Sequence, residues 1–505
     1  MPFLNTKYFS YYLLHWTYWK RRNIPGPLGV PILGKSSTML DDNAPPGMVI
    51  REWTKKYGKV FGFTDGMQKV LVISDPQLAH DVFVRQFDNF YGRKHNPIQG
   101  DPEKDKDINL VAAQGFRWKR LRTITAPAFS NNSIKKVLST IEDSALEFLR
   151  HLEKTAGSGE AVNMHLYFQE YSMDVIHRIA MGQPGSLMFN NPLLYDCKGF
   201  FENNRWQIWM LSGAFPFAVP VLKFAFFALG LFGAGPFKNV LKTVTDTVTE
   251  RVKQREAEQT QEDPQDFIDL FLDSKADDEI EHFGEQNSDF HKSAVSNNRQ
   301  LTTQEVISQC FVFLVAGFDT TAIALSYVVY LIALHPEIQQ KIQEEVDREC
   351  PDSEITFDQL SRLKYMEYAI KEALRLYPMA SFANARRCMR TTQLGEYTVE
   401  AGVDVQLDTW SLHYDKTIWG EDADEFKPER WSSMSNQPSF LSFGAGPRQC
   451  LGMRLAILEE KVLLAHVLRK YSFVTNTRTQ IPMKLIGRAT TRPANLYLSV
   501  KAREF

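Results

Sequence analysis

The residues with the clearest chemical meaning form a short loop around Cys450. It reads Phe443-Gly444-Ala445-Gly446-Pro447-Arg448-Gln449-Cys450-Leu451-Gly452, and a helix-forming sequence follows. Glycines permit tight turns with positive φ and let a flat ligand approach the backbone closely. Backbone N–H groups at the start of a helix lower the pKa of a nearby thiol and favour the thiolate. A thiolate held rigidly beneath a flat ligand is suited to bind a metal axially, and thiolate ligation of haem iron favours O–O cleavage.

A second group of chemically notable residues lies within an apolar segment, 301–334. Ala316-Gly317-Phe318-Asp319-Thr320-Thr321 places an acid and two threonines among apolar neighbours, which requires an explanation because buried polar groups need partners. The threonine hydroxyl can bond the carbonyl four residues earlier, Thr320 to Ala316. Alternatively, Gly317 permits a local kink that opens a pocket for dioxygen and water. Both interpretations stay open at this point.

A third group consists of charged residues spaced to form ion pairs. Glu372 and Arg375 are three residues apart on a predicted helix and therefore lie on one face. Pro428-Glu429-Arg430-Trp431 follows about fifty residues later. A Glu-x-x-Arg pair alone carries little information, since most such pairs lie on the surface.

Taken together, these motifs resemble the cytochrome P-450 family of haem-thiolate monooxygenases. The loop matches the pattern F-x-x-G-x-R-x-C-x-G at every fixed position, and Pro428 to Trp431 is similar to P-E-R-F with Trp in place of Phe. The helix sequence around Thr320 matches A-G-x-D-T-T, and Trp118 with Arg122 matches W-x-x-x-R. Within the family, the sequence most resembles the animal microsomal branch that oxidises drugs and steroids, and it is similar to invertebrate members.

The resemblance implies haem b as the cofactor, with Cys450 as the axial iron ligand. The implied haem-binding residues are Trp118, Arg122, Arg386, Phe443, Gly444 and Arg448. The assignment of Arg386 is ambiguous, because the adjacent Arg387 could equally be the matching arginine. Glu372, Arg375 and Arg430 are implied to form a structural ion network behind the haem.

The resemblance also implies the catalytic and substrate-binding residues. Thr320 would contribute a hydroxyl to oxygen activation, and Asp319 would help relay protons. Candidate pocket residues are Ala316, Phe318, Phe382, Ala383 and Ile486. They predict an apolar ligand, and the alternative for each is ordinary core packing.

The implied activity inserts one atom of O2 into a lipophilic small molecule, as in xenobiotic or steroid metabolism. Electrons would come from NADPH through a flavin reductase that docks at Arg117, Lys119 and Arg120, a basic face suited to an acidic partner. A haem-thiolate isomerase or dehydratase that needs no O2 is an alternative, although Asp319 and Thr320 argue against it. A non-catalytic haem sensor is a third possibility.

The elements that must position these residues are predicted to be mainly helical. Helices are expected at 301–334, 337–349, 365–376 and 452–471, and a β-hairpin at 59–63 and 69–73. Further strands are expected at 403–407 and 496–500. No repeat or second core is apparent, so we predict a mainly α fold with small β-sheets in a single large cytochrome P-450-like domain.

The amino terminus predicts a membrane-associated segment. Residues 1–22 have basic but no acidic side chains around an aromatic-rich run of twelve residues, 8–19, whereas a spanning helix needs about twenty. We predict an interfacial or shortened anchor on the cytosolic face of the endoplasmic reticulum membrane; a disordered tail and a trimmed anchor are the alternatives. Residues 23–31 would be a proline-rich hinge and 32–505 the monooxygenase domain. The apolar stretch 211–237 is either buried helix or a surface that dips into lipid.

Composition excludes several other classes of protein. The 505 residues include 58 basic and 60 acidic side chains, for a net charge of −2, so the basic excess of a nucleic-acid binder is missing. The apolar fraction of 44% is typical of an ordered globular chain. The five cysteines contain no C-x-x-C pair, which excludes a zinc ribbon and a thioredoxin-like motif.

Overall fold

The computed structural model describes most of the chain. The described residues are 10–99, 101–102, 105, 108–156, 160–202, 206–228, 236–258, 266–273, 301–352, 354–435 and 437–503. The sequence predicts that the acidic stretch 256–290 contains a helix end, a short apolar helix near 267–272 and then a solvated loop; residues 274–290, the loop part, lie outside the described residues, as do residues 1–9 and 229–235.

Helices dominate the fold, as the sequence predicts. After a helical segment at residues 10–16, the α-helices are α1 Ser36–Met39, α2 Pro46–Tyr57, α3 Pro76–His80, α4 Gly115–Thr125, α5 Asn131–Ala156, α6 Met164–Met181, α7 Pro192–Glu202, α8 Trp206–Ala214, α9 Val219–Ala228, α10 Pro236–Glu258, α11 Phe267–Leu272, α12 Thr303–Leu334, α13 Pro336–Glu349, α14 Phe357–Arg362, α15 Lys364–Leu376, α16 Thr409–His413, α17 Lys416–Trp419 and α18 Met453–Lys470. A π-helix spans Asp81–Arg85, and short 3₁₀ helices include Ser381–Asn384, Pro428–Ser432 and Gly446–Arg448.

The β-structure is divided among small sheets. The strands are β1 Val60–Asp65, β2 Gln68–Ile73, β3 Val162–Asn163, β4 Ala385–Arg387, β5 Thr392–Leu394, β6 Tyr397–Val399, β7 Asp404–Leu407, β8 Tyr471–Val474, β9 Leu485–Ile486, β10 Arg492–Pro493 and β11 Tyr497–Ala502. The largest sheet has the order β1-β2-β7-β4, with β2 parallel to β7 and the other pairs antiparallel. The predicted mainly α fold with small sheets is confirmed.

Helix α12 is the central helix of the core. Thr302 caps its start: the Thr302 hydroxyl accepts from the Glu305 N–H, and the Glu305 carboxylate accepts from the Thr302 N–H, both at 3.1 Å. This reciprocal pair satisfies two N–H groups that a helix start leaves free. The helix is long and apolar enough to cross a membrane, but most of it is buried in the protein. Its composition therefore reflects its position in the core.

Close packing of α12 against α6 explains the glycine within it. A Cβ at Gly317 would lie 2.8 Å from side-chain atoms of Ile176, too close for an ordinary contact. The helix is continuous from Thr303 to Leu334. The absence of a side chain at Gly317 therefore allows Ile176 to pack against the helix. The local kink that the sequence allowed does not interrupt the helix.

The described part of the amino-terminal segment packs against the domain. Tyr18 and Trp19 are buried, and the Trp19 indole donates to the Phe63 carbonyl at 2.8 Å. The Tyr18 hydroxyl donates to Glu400 at 2.8 Å, and Arg22 forms an ion pair with the same carboxylate. Residues 18–22 are thus held in place, which disfavours a disordered tail for this part of the chain.

Candidate haem-binding site

The loop that carries Cys450 owes its shape to two glycines. Gly444 and Gly446 have φ of 71° and 67°, the left-handed region that side chains disfavour. A Cβ at Gly446 would also collide with the carbonyl oxygen of Phe83 in the π-helix. The Cys450 N–H donates to the Phe443 carbonyl at 2.8 Å, closing the loop. The chain therefore packs this loop against Asp81–Arg85 in one fixed conformation.

Cys450 differs from the other cysteines in its exposure. It is exposed, whereas the other four cysteines are buried. Removal from bulk water raises the pKa of the Cys450 thiol, although the backbone of Gly452 and Met453 and the charge of Arg122 act in the opposite direction. The sequence predicted that N–H groups at the helix start lower this pKa; they do so, but desolvation outweighs them. A bound metal cation reverses that balance, because a coordinating thiol loses its proton.

Four arginine side chains converge beside this loop. They are Arg93, Arg122, Arg386 and Arg448, and Arg122 is half-buried while the rest are largely enclosed. Burial, followed by the charge of Arg122, lowers the pKa of Arg93 to about 10. Burial, followed by the charges of Arg93 and Arg448, lowers the pKa of Arg386 well below its usual range. The four guanidinium groups therefore repel one another.

The described contacts of these arginines do not neutralise their charge. Arg122 donates to the Gln449 carbonyl at 2.8 Å, Arg448 to the Ala113 carbonyl at 2.6 Å and Arg386 to the Ala385 carbonyl at 2.8 Å. Buried nitrogens of Arg93, Arg386 and Arg448 lack a hydrogen-bond partner among the described residues. Buried cations of this kind require an anion. Two carboxylates such as the haem propionates match the number and type of the free donors, so the residues present fit the group.

Aromatic rings hold two of the arginines in place. The Arg448 guanidinium lies over the Trp118 ring at 4.6 Å, and that of Arg386 lies over the Phe83 ring at 4.3 Å. Trp118 is itself buried against Phe87, with ring centroids 5.5 Å apart. Trp118 therefore contacts the arginine cluster through Arg448.

The structure separates Arg386 from Arg387. Arg387 forms a bidentate pair with Asp404, at 2.9 and 3.0 Å. Arg386 is 1% exposed and faces the arginine cluster. The geometry therefore favours Arg386 of the two adjacent candidates, because adjacent strand residues point to opposite faces of a sheet.

Sequence reasoning missed Arg93. It follows Gly92, whose carbonyl accepts the Arg387 N–H at 2.9 Å, and its guanidinium donates to the Ala383 carbonyl. This bridge brings Arg93 next to Arg386. In the sequence Arg93 is followed by Lys94 and His95, a run of basic residues that is typical of the protein surface. The contact between Gly92 and Arg387, almost three hundred positions apart in the chain, is what turns Arg93 inward.

The predicted ion network is formed, and it is buried. Arg375 donates to both oxygens of Glu372, at 2.9 and 2.8 Å, and Arg430 donates to the same carboxylate at 2.7 Å. The Trp431 indole donates to it as well, at 2.9 Å. The remaining N–H groups of Arg375 bond the carbonyls of His413, Ala423 and Glu425. Because the charges are paired and their hydrogen bonds made, this network is compatible with a dry interior.

One stretch of α12 faces open space. Ala316 is exposed and Thr320 is half-buried, although most of the surrounding helix is buried. The Thr320 hydroxyl donates to the Ala316 carbonyl at 2.7 Å, which is the back-bonded arrangement that the sequence allowed. Asp319 is 2% exposed and accepts a hydrogen bond from the Thr490 hydroxyl at 2.7 Å. Asp319 and Thr320 therefore face different neighbours in this structure.

The other pocket candidates differ in their placement. Ala383 and Ile486 are partly exposed. Phe318 has no exposed surface and sits in the main hydrophobic core. Two residues after Ala316 it points about 200° around the helix, a position that does not support a pocket role. The side chain of Phe382 lies outside the described part of the structure.

The basic residues of α4 have contacts within the protein. Arg120 forms a bidentate pair with Glu305 at the start of α12, at 2.7 and 3.1 Å. Arg117 donates to the Asp105 carbonyl. Arg120 thus links α4 to α12, which argues against counting it among residues free to bind a partner.

Comparisons with known proteins identify similar sequences along almost the whole chain. A family model described as "Cytochrome P450" matches residues 24–500. "Putative cytochrome P450 CYP13A8" from Caenorhabditis elegans is 65% identical over 499 residues, covering 98% of each chain. "Putative cytochrome P450 CYP13A1" from the same organism is 54% identical, covering 98% of this chain and 97% of its own.

Proposed function

This chain belongs to the cytochrome P-450 family of haem-thiolate monooxygenases, and we propose that it oxidises an apolar small molecule with electrons that a flavin reductase takes from NADPH. When bound, haem would supply the activation of O2, and a thiolate ligand from Cys450 would favour O–O cleavage. The protein residues bind the group, orient the substrate and control protons.

The buried arginine cluster is the observation that carries the proposal. We assign Arg93, Arg122, Arg386 and Arg448 to the propionates, and Cys450 to the iron. Their guanidinium groups repel one another in the chain alone. Binding a dianion would therefore offset an electrostatic repulsion that destabilises the folded chain. Gly444 and Phe443 shape the loop, and Trp118 supports Arg448.

We assign the exposed stretch of α12 to oxygen activation. The Thr320 hydroxyl already donates to the Ala316 carbonyl, so its oxygen remains able to accept a second hydrogen bond. Thr320 would hold a proton beside the reacting oxygen, and Asp319 would resupply it. Ala316, Ala383 and Ile486 would contact the substrate, and their small or apolar side chains favour a lipophilic molecule.

We propose that the reductase docks on the face behind the Cys450 loop. A groove of about 590 Å³ opens there, lined partly by Phe443, Gly444 and Gly446. The exposed Arg454 lines it. Lys371 and the buried Lys461 also line it, and both pair with Glu367, so the groove keeps a positive excess. This charge suits an acidic partner, and Lys119 and Arg117 on α4 would extend the surface.

We further propose association with the cytosolic face of the endoplasmic reticulum membrane. Tyr11, Leu14, Phe217 and Phe224 are 60%, 51%, 69% and 72% exposed. Helix α8 and the following helix are apolar and bend by 116° at their junction, so they do not form one straight helix. Such apolar exposure favours lipid. The measurement is co-sedimentation with phospholipid vesicles, which the double variant Phe217→Ser/Phe224→Ser should weaken.

The function is tested with the haem-loaded chain, an NADPH-dependent flavin reductase, phospholipid and a panel of steroids and alkoxyarenes. We expect NADPH-dependent product that contains one atom from ¹⁸O2. Conversion without reductase or O2 would instead establish an isomerase or dehydratase. Ligand-induced spectral changes without any turnover across the panel would favour a sensor.

A further inference from the structure

A tight hairpin near the carboxyl end of the chain contacts the helix that carries Asp319. Strands β9 and β10 flank the loop 487–491. Gly487 has φ of 107°, and a Cβ there would collide with the Thr490 carbonyl oxygen. The loop is therefore closely folded, and the position of Thr490 follows from that of the strands. Ile486, a candidate substrate contact, is the last residue of β9.

Three hydrogen bonds attach this loop to the core. The Thr490 hydroxyl donates to the Asp319 carboxylate at 2.7 Å. The Tyr327 hydroxyl donates to the Thr491 carbonyl, and the Thr491 N–H donates to the Met379 carbonyl at 2.8 Å. Asp319 and Tyr327 are two turns apart on α12, so the loop lies along one face of that helix.

We infer that Thr490 is a positioning residue for Asp319 and that it couples the substrate-side hairpin to the proton relay. The inference rests on the proposed function of Asp319. Both residues are buried, with 5% and 2% of their surface exposed. A β-branched side chain has few rotamers, so the Thr490 hydroxyl fixes the direction in which the carboxylate points. A ligand that displaces Ile486 would move Thr490 and change the orientation of Asp319 relative to Thr320.

The chain offers a matched set of variants. Thr490→Val removes the hydroxyl and keeps the volume, while Thr490→Ser keeps the hydroxyl. Thr491→Val is the control, because the described hydrogen bonds of Thr491 use its backbone. Asp319→Asn removes the carboxylate charge, and Thr490→Val/Asp319→Asn tests whether the two residues act as one unit.

The first measurement is hydrogen–deuterium exchange of the purified haem-loaded chain, which needs no turnover. We expect Thr490→Val to increase exchange in peptides that cover 487–491 and 316–321, with Thr490→Ser and Thr491→Val close to wild type. Unchanged exchange in both regions for Thr490→Val overturns the inference, whether or not the protein proves to be a monooxygenase.

The second measurement is product formed per NADPH with reductase and the panel of lipophilic compounds. We expect Thr490→Val to reduce it by about tenfold, since small misplacement of a catalytic group is costly, and Thr490→Ser to restore it. The double variant should match Asp319→Asn. Additive losses would show that Thr490 acts independently of Asp319 and would overturn the inference, while coupled turnover by wild type would leave the monooxygenase function intact.

Discussion

The indole N–H of Trp431 donates to the carboxylate of Glu372 at 2.9 Å, and both side chains are buried. Phenylalanine, which the family pattern has at this position, has no N–H to donate. Glu372 thereby accepts from an indole as well as from Arg375 and Arg430. The departure from the motif adds a donor to a buried charge and supports the network behind the cysteine loop.

Replacing Trp431 should therefore destabilise the chain. A hydrogen bond to a charged group contributes about 1.5–3 kcal/mol. We therefore expect Trp431→Phe to lower the free energy of unfolding by about 1.5 kcal/mol or more. Trp410→Phe is the matched control, because the Trp410 indole nitrogen is buried without a partner among the described residues. Equal losses in denaturant unfolding would assign the effect to ring size instead of to the hydrogen bond.

Short motifs with strong local geometry were readable from the sequence. The cysteine loop and the pairing of Glu372 with Arg375 each depend on residues close together in the chain. Arg93 and the Thr490–Asp319 bond depend on contacts between distant segments, which a single sequence does not reveal. The pKa of the Cys450 thiol also depends on distant segments, because enclosure by the whole fold sets the desolvation that outweighs the nearby N–H groups.

Replacing Cys450 tests the assignment of the iron ligand. We expect Cys450→Ser to abolish the strongly red-shifted Soret band of the dithionite-reduced, carbon monoxide-bound protein, because a serine hydroxyl does not replace the thiolate. Cys388→Ser is the control, since the Cys388 sulfur bonds the Arg390 carbonyl in a way that a hydroxyl can reproduce. Persistence of the band in Cys450→Ser would place the ligand elsewhere.

Replacing Thr320 should uncouple NADPH consumption from product formation. We expect Thr320→Ala to retain haem and consume NADPH, with more hydrogen peroxide released and product reduced by about 10²-fold, the lower range for a positioned proton donor. Thr321→Ala is the control, because Thr321 is the adjacent, buried threonine. Wild-type product per NADPH in Thr320→Ala would refute the assigned role.

Arg93 should affect the haem-free and haem-loaded chains in opposite directions. Without haem, Arg93→Met removes a buried charge that Arg122 repels, so we expect thermal unfolding at a higher temperature. With haem, it removes a charged donor, and we expect haem transfer to apomyoglobin to be about tenfold faster, equivalent to about 1.4 kcal/mol.

The exposed Arg85, paired with Asp81, provides the control Arg85→Met, which should change neither quantity. If Arg93→Met destabilised both forms equally, the residue would have a packing role and no specific relation to the propionates.

Glu460 should make stability depend on pH. Burial raises the pKa of Glu460 from 4.5 to about 8, and neither carboxyl oxygen has a hydrogen-bond partner among the described residues. Between these values the unfolded chain has released a proton that the folded chain retains, so folded stability falls as pH rises from 4.5 to 8. One such proton corresponds to about 1.4 kcal/mol per pH unit. Glu460→Gln should remove this slope, leaving the contribution of its neighbour Glu459, whose pKa burial also raises.

Thermal unfolding between pH 5 and 8 measures the difference, with Glu344→Gln on the exposed face of α13 as the control. Wild type and Glu460→Gln losing stability in parallel would mean that Glu460 is ionised in the folded chain. That result would require a cation or a water-filled path beside α18, because an unpaired carboxylate is costly in a dry interior.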